Sequence, residues 1–210
     1  MSKPAEGWRL WGRRPADFVL LGVTAVELAI LLRLTPSLTV TDWIYVCSNL
    51  LMLGIALTRR PPQVQDTSLA AGTAVFVSYT YSYAQVVLLQ RHPGYEGWPA
   101  GGFVLVIIGA ALSLAGLISL GRFFGVRPAM RGLATRGTYR LVRHPLYLAY
   151  VLQDIGYNLH EWSVGTLILV AVGWASMIYR IHAEERVLSQ DPNWAAYARR
   201  VRYRLLPGIW

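Results

Sequence analysis

Long apolar stretches dominate this chain, and its polar residues gather between them. Six apolar segments stand out, and they cover residues 18–32, 43–57, 68–89, 103–120, 146–158 and 162–179. A helix that crosses a bilayer needs about 20 residues, and a bilayer offers no water to backbone groups, which favours helices over strands. The pattern therefore predicts an all-α, polytopic integral membrane bundle of about five to six transmembrane helices.

The fifth segment is too short to span alone, and it carries the polar residues Gln153 and Asp154. It is expected to form a tight C-terminal helical hairpin with the sixth segment, turning at residues 160–161. Glu27 and Asp154 fall inside predicted spans, where an ionisable side chain is a functional candidate by default.

The composition supports one membrane domain over residues 1–210, since 54% of the residues are hydrophobic and only 15% are charged. The net charge of +9 does not predict a nucleic-acid partner, because the basic residues lie in loops and at the two ends. Cys47 is the single cysteine, which excludes an intramolecular disulfide. No spacing of cysteine and histidine predicts a metal site.

The placement of basic residues predicts the orientation in the membrane, since cytoplasmic loops carry the excess of lysine and arginine. If the N-terminus is cytoplasmic, only Arg33 and Arg91 fall outside. The basic residues placed inside are then Lys3, Arg9, Arg13, Arg14, Arg59, Arg60, Arg122, Arg127, Arg131, Arg136, Arg140, Arg143 and those of the C-terminal end. We therefore expect a multi-pass protein with both termini in the cytoplasm.

The chain ends in a predicted basic amphipathic helix, with Asp191 as its cap and Pro192 as its first residue. Its apolar and basic faces are formed by Trp194, Tyr197, Val201 and Leu205 on one side and by Arg199, Arg200 and Arg202 on the other. Two interpretations stay open: the helix anchors the tail at the membrane surface, or it folds over the motif described next.

Chemically capable residues are densest in GTYRLVRHPLY at 137–147. Pro145 suits the first position of a helix, which makes His144 the expected cap. A helix N-terminus attracts carboxylate or phosphate groups, and Arg140 and Arg143 add positive charge. Tyr139 and Tyr147 offer ring faces to a cation.

The predicted hairpin returns an acidic pair, Glu184 and Glu185, to the side of Pro145. The result would be a pocket that is cationic on one side and anionic on the other, suited to a zwitterionic ligand. The alternative is a structural cluster in which the arginines face lipid phosphates and pair with the two glutamates.

The motif at 137–147, followed by RIHAEERVL at 180–188, resembles the core of the isoprenylcysteine carboxyl methyltransferase family. The same core is similar to that of phospholipid N-methyltransferases. The resemblance covers the C-terminal half from Gly121 onward, with two departures: Ala149 stands where the family often has glycine, and the tail before LLP is slightly longer.

The resemblance implies a methyltransferase that uses S-adenosylmethionine at the membrane face. The residues that it assigns to the cofactor are Arg131, Gly132, Leu133, Ala134, Tyr139, Arg143, His144, Pro145, Leu146, Tyr147 and Glu184. Arg180 matches an arginine that serves the methyl acceptor, and Glu185 completes the acidic pair, so both are candidate catalytic residues. Residues 101–210 would form the cofactor-binding core, and the spans in 1–100 would face the acceptor.

We therefore expect methyl transfer to a lipophilic acceptor, either a prenylcysteine-like carboxylate or a phospholipid amine, with the lipid bilayer as the other partner. A carboxylate acceptor needs no base, whereas an amine or thiol would need one, for which His182 or a glutamate is a candidate. One alternative is a membrane reductase that uses NADPH, but the similar sterol reductases typically have asparagine where this chain has Leu146. The other is a non-catalytic membrane scaffold. The oligomeric state stays open.

Overall fold

The computed structural model describes residues 40–89, 99–160 and 162–210, together with isolated positions between 22 and 33. The first predicted apolar segment, 18–32, lies largely outside the described residues, and Glu27 lies outside them as well.

The remaining five predicted segments are all helices, so the expected helical class is confirmed. They are α1 (Val40–Thr58), α2 (Leu69–Leu89), α3 (Ala100–Leu120), α4 (Pro145–His160) and α5 (Val164–Leu188), and a short α6 (Trp194–Arg200) follows. Two of the described helices are long and apolar enough to cross a membrane, α3 with its extension to Phe123 and α5. The total of five to six spanning helices stays a prediction.

The predicted hairpin is formed by α4 and α5, and a capping box sets the start of α5. The Ser163 hydroxyl accepts the backbone N–H of Thr166 at 3.1 Å, and the Thr166 hydroxyl accepts the backbone N–H of Ser163 at 2.8 Å. This reciprocal pair satisfies two N–H groups that a helix start leaves open. The far end of α5 continues nine residues beyond the apolar segment that ends at Tyr179 and so carries Glu184 and Glu185, as expected. Ile181 and Ala183 are buried within this extension.

Helices α3 and α4 make the most extensive contact between helices, along a row of glycines seven residues apart. A methyl group on Gly102 would lie 3.0 Å from the carbonyl oxygen of Gly156, and one on Gly109 would lie 2.8 Å from that of Ala149. Gly116 continues the row. Small residues allow helix backbones to approach closely in membrane proteins, and Ala149, where the family often has glycine, is completely buried in this seam.

A two-stranded antiparallel sheet, absent from the all-α prediction, pairs β1 (Val64–Gln65) with β2 (Ala129–Met130). It ties the loop after α1 to the segment after α3, and the backbone N–H of Arg60 donates to the carbonyl of Arg122 at 2.9 Å beside it. Two consecutive prolines, Pro61 and Pro62, favour extended backbone before β1. These two prolines are the sequence feature from which this strand could have been predicted.

The C-terminal helix differs from its prediction at both ends. Residues 191–193 form a turn in which the Asp191 carboxylate accepts the backbone N–H of Asn193, and α6 begins only at Trp194. The helix also ends at Arg200, so Val201, Arg202 and Leu205 lie beyond it and the predicted helical face is shorter than expected. Tyr197, Val201 and Leu205 are nevertheless buried against the protein. The tail therefore folds over the motif, which is the second of the two interpretations.

The α3–α4 seam gives a direct test of packing. We expect Gly109→Ala to lower the apparent free energy of unfolding by about 1–3 kcal/mol, because the added methyl overpacks against a backbone carbonyl. Denaturant titration in mild detergent, followed by circular dichroism, measures the change.

Gly101→Ala is the matched control, since nothing lies within 4 Å of the methyl it would add. It should stabilise α3 by up to about 1 kcal/mol through helix propensity. Equal effects of the two substitutions would contradict the described packing.

Candidate functional site

The motif segment folds as a short 3₁₀ turn, Gly137–Arg140, that leads into α4. Gly137 has a φ of +58° and packs directly on the Ser119 side chain, so both its backbone angle and its space favour glycine. Pro145 is the first residue of α4. The carbonyl of His144 accepts the N–H of Leu148 at 3.1 Å, which places His144 at the cap position as predicted.

Helix α5 brings both glutamates back to this helix start, as predicted. The two ring nitrogens of His144 lie between them: Nδ1 is 3.8 Å from a Glu184 oxygen, and Nε2 is 3.3 Å from a Glu185 oxygen. The Tyr147 hydroxyl donates a short hydrogen bond to Glu184. Residues some forty positions apart in the sequence thus share one site.

The two neighbouring carboxylates have different surroundings. Glu184 faces a cavity, whereas Glu185 faces the C-terminal tail and contacts the guanidinium of Arg204 at 2.8 Å and that of Arg143 at 3.3 Å. Burial lowers the pKa of Arg143, while the nearby Glu185 acts in the opposite direction. Glu185 therefore lies in an ion-pair cluster and does not line the cavity.

The tail also contacts the motif through its backbone. The N–H groups of Arg143 and His144 donate to the carbonyls of Tyr203 and Arg204, both at 2.9 Å. The Tyr197 hydroxyl donates to the Tyr139 carbonyl at 3.0 Å, and burial raises the pKa of Tyr197 to about 12. These contacts make the tail one wall of the site.

The cavity has a volume of about 330 Å³ and extends from this wall into the helix bundle. Of the residues that sequence analysis proposed, those that line it are Gly132, Leu133, Ala134, Tyr139, Arg143, His144, Leu146, Tyr147, Arg180 and Glu184. Arg131, Pro145 and Glu185 do not line it.

Comparison with known proteins shows what this part of the chain resembles. Residues 99–191 match the model of the phospholipid methyltransferase family. A segment of 93 residues is 31% identical to protein-S-isoprenylcysteine O-methyltransferase A of Arabidopsis thaliana, and it covers 40% of this chain and 43% of that protein. Residues 99–191 are thus similar to the phospholipid and isoprenylcysteine methyltransferases.

A second Arabidopsis thaliana relative, protein-S-isoprenylcysteine O-methyltransferase B, is 29% identical over 117 residues, which are 48% of this chain and 55% of that protein. The chain thus matches only about half the length of these curated relatives. No solved structure matches it significantly.

The segment before the motif shapes the cavity wall through two glycines. Gly132 has a φ of +130°, and a side chain there would collide with the Phe123 ring. A side chain at Gly125 would collide with the guanidinium of Arg131, which is buried behind the cavity wall. Arg131, assigned to the cofactor by resemblance, therefore packs behind the wall.

Arg180 lies midway along the cavity wall on α5. Its guanidinium stacks over the Tyr147 ring at 5.4 Å, donates to the Val126 carbonyl at 3.2 Å and lies 4.0 Å from Glu184. His182, the candidate base, instead packs against the Trp210 ring at 5.9 Å and does not line the cavity.

Several cavity residues were missed by sequence analysis. Trp194 and Tyr197 line the outer end, and their shared face on the predicted C-terminal helix was the available signal. Tyr81 and Trp174 line the inner end around Asp154, and neither was among the candidate site residues. Within the described residues, no group of histidine, cysteine and acidic side chains could hold a metal ion.

The ion-pair cluster predicts a stability effect. We expect Glu185→Gln to lower the apparent free energy of unfolding by about 1–2 kcal/mol, because Arg143 and Arg204 lose their shared charged partner. Thermal and denaturant unfolding in detergent measures the loss. Glu184→Gln is the control and should unfold nearly like the wild type, since the new amide can still accept from Tyr147. Equal destabilisation by the two substitutions would contradict the different surroundings of the two glutamates.

Proposed function

We propose that the protein is an S-adenosylmethionine-dependent methyltransferase that acts on a lipophilic acceptor at the cytoplasmic membrane face. The observation that carries the proposal is one cavity lined mostly by residues of the matched segment, with His144, Tyr147 and Glu184 together at its outer end. The same cavity continues between helices that are apolar enough to lie in a membrane.

The residues at the outer end fit the proposed cofactor. S-adenosylmethionine is a zwitterion that supplies a methyl group on a cationic sulfonium. The Glu184 carboxylate, with 24% of its side chain exposed, can accept hydrogen bonds from an ammonium group. The rings of Tyr139, Tyr147 and Trp194 line the same region and can receive a cation or stack on a flat base.

The chain contributes positioning and exclusion of water more than covalent chemistry. His144 and Tyr147 hold the Glu184 carboxylate in place from one side of the cavity. The tail covers the outer end through Trp194 and Tyr197, which keeps solvent from the reacting groups. Such a site aligns an acceptor heteroatom with the methyl carbon for in-line attack.

Arg180 is the candidate contact for the acceptor. Its charge, held over the Tyr147 ring, would bind an acceptor carboxylate or phosphate, and a carboxylate needs no base. An amine acceptor must lose a proton, and His182 lies away from the cavity, so the carboxylate of Glu184 or the ring of His144 is the better-placed group. Glu185 supports this site through Arg143 and Arg204 in our proposal.

The proposed orientation puts the site and both termini in the cytoplasm. The Arg122 guanidinium donates to the Thr58 carbonyl at 2.8 Å, which supports one basic end of the bundle at the motif. On α3 and α5, Ile108, Ile118, Leu167 and Ile168 are at least half exposed, as side chains that face lipid would be.

Calorimetry with the purified protein tests the function. We expect S-adenosylmethionine to bind with a dissociation constant in the micromolar range and NADPH to give no signal, because the outer end of the cavity suits a zwitterion. Binding of NADPH would favour a reductase, and binding of neither compound would favour a non-catalytic scaffold. Either outcome overturns the proposal.

Substitutions at the outer end should separate cofactor binding from folding. We expect Glu184→Gln and His144→Ala to weaken S-adenosylmethionine binding about 10- to 100-fold. The first removes the negative charge that would pair with an ammonium group, and the second removes the ring that packs beside the Glu184 carboxylate. Calorimetry measures the affinity, and circular dichroism checks the helical content.

Asp66→Asn is the control for these substitutions, because it neutralises a carboxylate that caps the turn at Ser68 and does not line the cavity. It should bind the cofactor like the wild type. Normal affinity in both site variants would disprove the site assignment.

A further inference from the structure

The inner end of the cavity contains a second carboxylate, that of Asp154. Asp154 follows His144 by ten residues on α4, and Trp174 precedes Glu184 by ten residues on α5. At 1.5 Å per residue, the two ends of the cavity are about 15 Å apart along the helices. The cofactor contacts proposed above therefore do not account for Asp154.

Neutral donors from two other helices surround the Asp154 carboxylate. The Tyr81 hydroxyl donates a short hydrogen bond to Oδ2, Trp174 Nε1 donates to the same oxygen at 2.7 Å, and Gln85 supplies a further hydrogen bond. Among the described residues, no arginine, lysine or histidine forms an ion pair with it. A carboxylate has about four acceptor positions, so three donors leave room for another.

These hydrogen bonds also connect α2, α4 and α5, but connecting the helices would not require a buried carboxylate. Hydrogen bonds between membrane helices contribute only about 0.6–2 kcal/mol each, and a neutral side chain could make them without the cost of a buried charge. Asp154, Tyr81, Gln85 and Trp174 moreover all line the cavity, where a ligand can reach them.

The walls around Asp154 are aromatic and polar. Tyr150 and Tyr157 line the cavity one turn before and one turn after it on α4, and Gln153 adds a polar side chain. Ring faces next to a carboxylate favour a cationic nitrogen, and the carboxylate itself accepts from any N–H or O–H donor. A long unsubstituted hydrocarbon chain would offer these polar groups no hydrogen-bond partner.

We propose, as an extension of the methyl transfer proposed above, that Asp154 recognises an ammonium or hydroxyl group of the methyl acceptor. This group is separate from the methylated atom, because Arg180 lies six residues after Trp174, about 9 Å along α5. The acceptor is then an amphiphile with a hydrogen-bond donor at its inner end.

A matched set of eight-carbon probes tests the subsite: n-octylamine, 1-octanol, octanoate and n-octane, titrated into the full-length protein in lipid nanodiscs with empty nanodiscs subtracted. We expect octylamine to bind at least about tenfold more tightly than octanoate, and octanol to bind second best. Only octylamine and octanol can donate a hydrogen bond to a carboxylate. Asp154→Asn should weaken octylamine binding about tenfold and leave octanol within about threefold.

Equal binding of octanoate and octylamine by the wild type, or unchanged octylamine affinity in folded Asp154→Asn, would overturn the proposal. Asp66→Asn makes the same chemical change outside the cavity and should bind all four probes normally.

Tyr81→Phe provides a test of opposite sign. It removes one donor from Asp154, so octylamine should bind about threefold more tightly, whereas a purely structural tie would give unchanged or weaker binding. If Asp154→Asn does not fold, the octylamine affinities of Tyr81→Phe and the wild type decide whether Asp154 forms a subsite.

Titration of the same samples with S-adenosylmethionine separates the two proposals. We expect Asp154→Asn to keep cofactor affinity within about twofold, since the outer end is about 15 Å away. Cofactor binding without a preference for octylamine overturns only the subsite. Absence of cofactor binding by the wild type overturns the methyl transfer function. The proposed role of Asp154 in an acceptor site is then overturned as well.

Discussion

The carboxylate of Glu185 is the group on which the described site depends, because it joins three segments that lie far apart in the sequence. It contacts Arg143 before α4, Arg204 in the tail and the ring of His144. Removing a partner from such a cluster leaves an uncompensated charge in a poorly hydrated place. The tail can therefore lie against the start of α4, and that start can hold the outer end of the cavity.

Helix geometry explains why two adjacent glutamates have different contacts. Successive residues on a helix point about 100° apart, so the carboxylates of Glu184 and Glu185 point in different directions. One carboxylate reaches the cavity and the Tyr147 hydroxyl, and the other reaches the arginines of the motif and the tail. His144 lies between them and is the residue that both contact.

The features that could be predicted from the sequence are those determined by local residue patterns and by short connections between helices. Apolar runs located α1 to α5, and the short turn between α4 and α5 required Glu184 to return to His144. The other features of the site depend on contacts between residues far apart in the sequence, and such contacts leave no periodic pattern. The tail is held by backbone hydrogen bonds such as that from Arg143 to the Tyr203 carbonyl, and Tyr81 meets Asp154 across 73 positions of sequence. The family resemblance could name the acidic pair, but only the packed structure shows which member faces the cavity.

The cavity has a charge order along its length. Glu184 at the outer end is followed by Arg180 and then by Asp154, and Arg127 and Arg143 add positive charge to the same cavity. A molecule that fills the whole space would therefore meet charged groups of both signs at fixed places. A pure hydrocarbon matches such a wall less well than a molecule that carries its own charges or dipoles at those places.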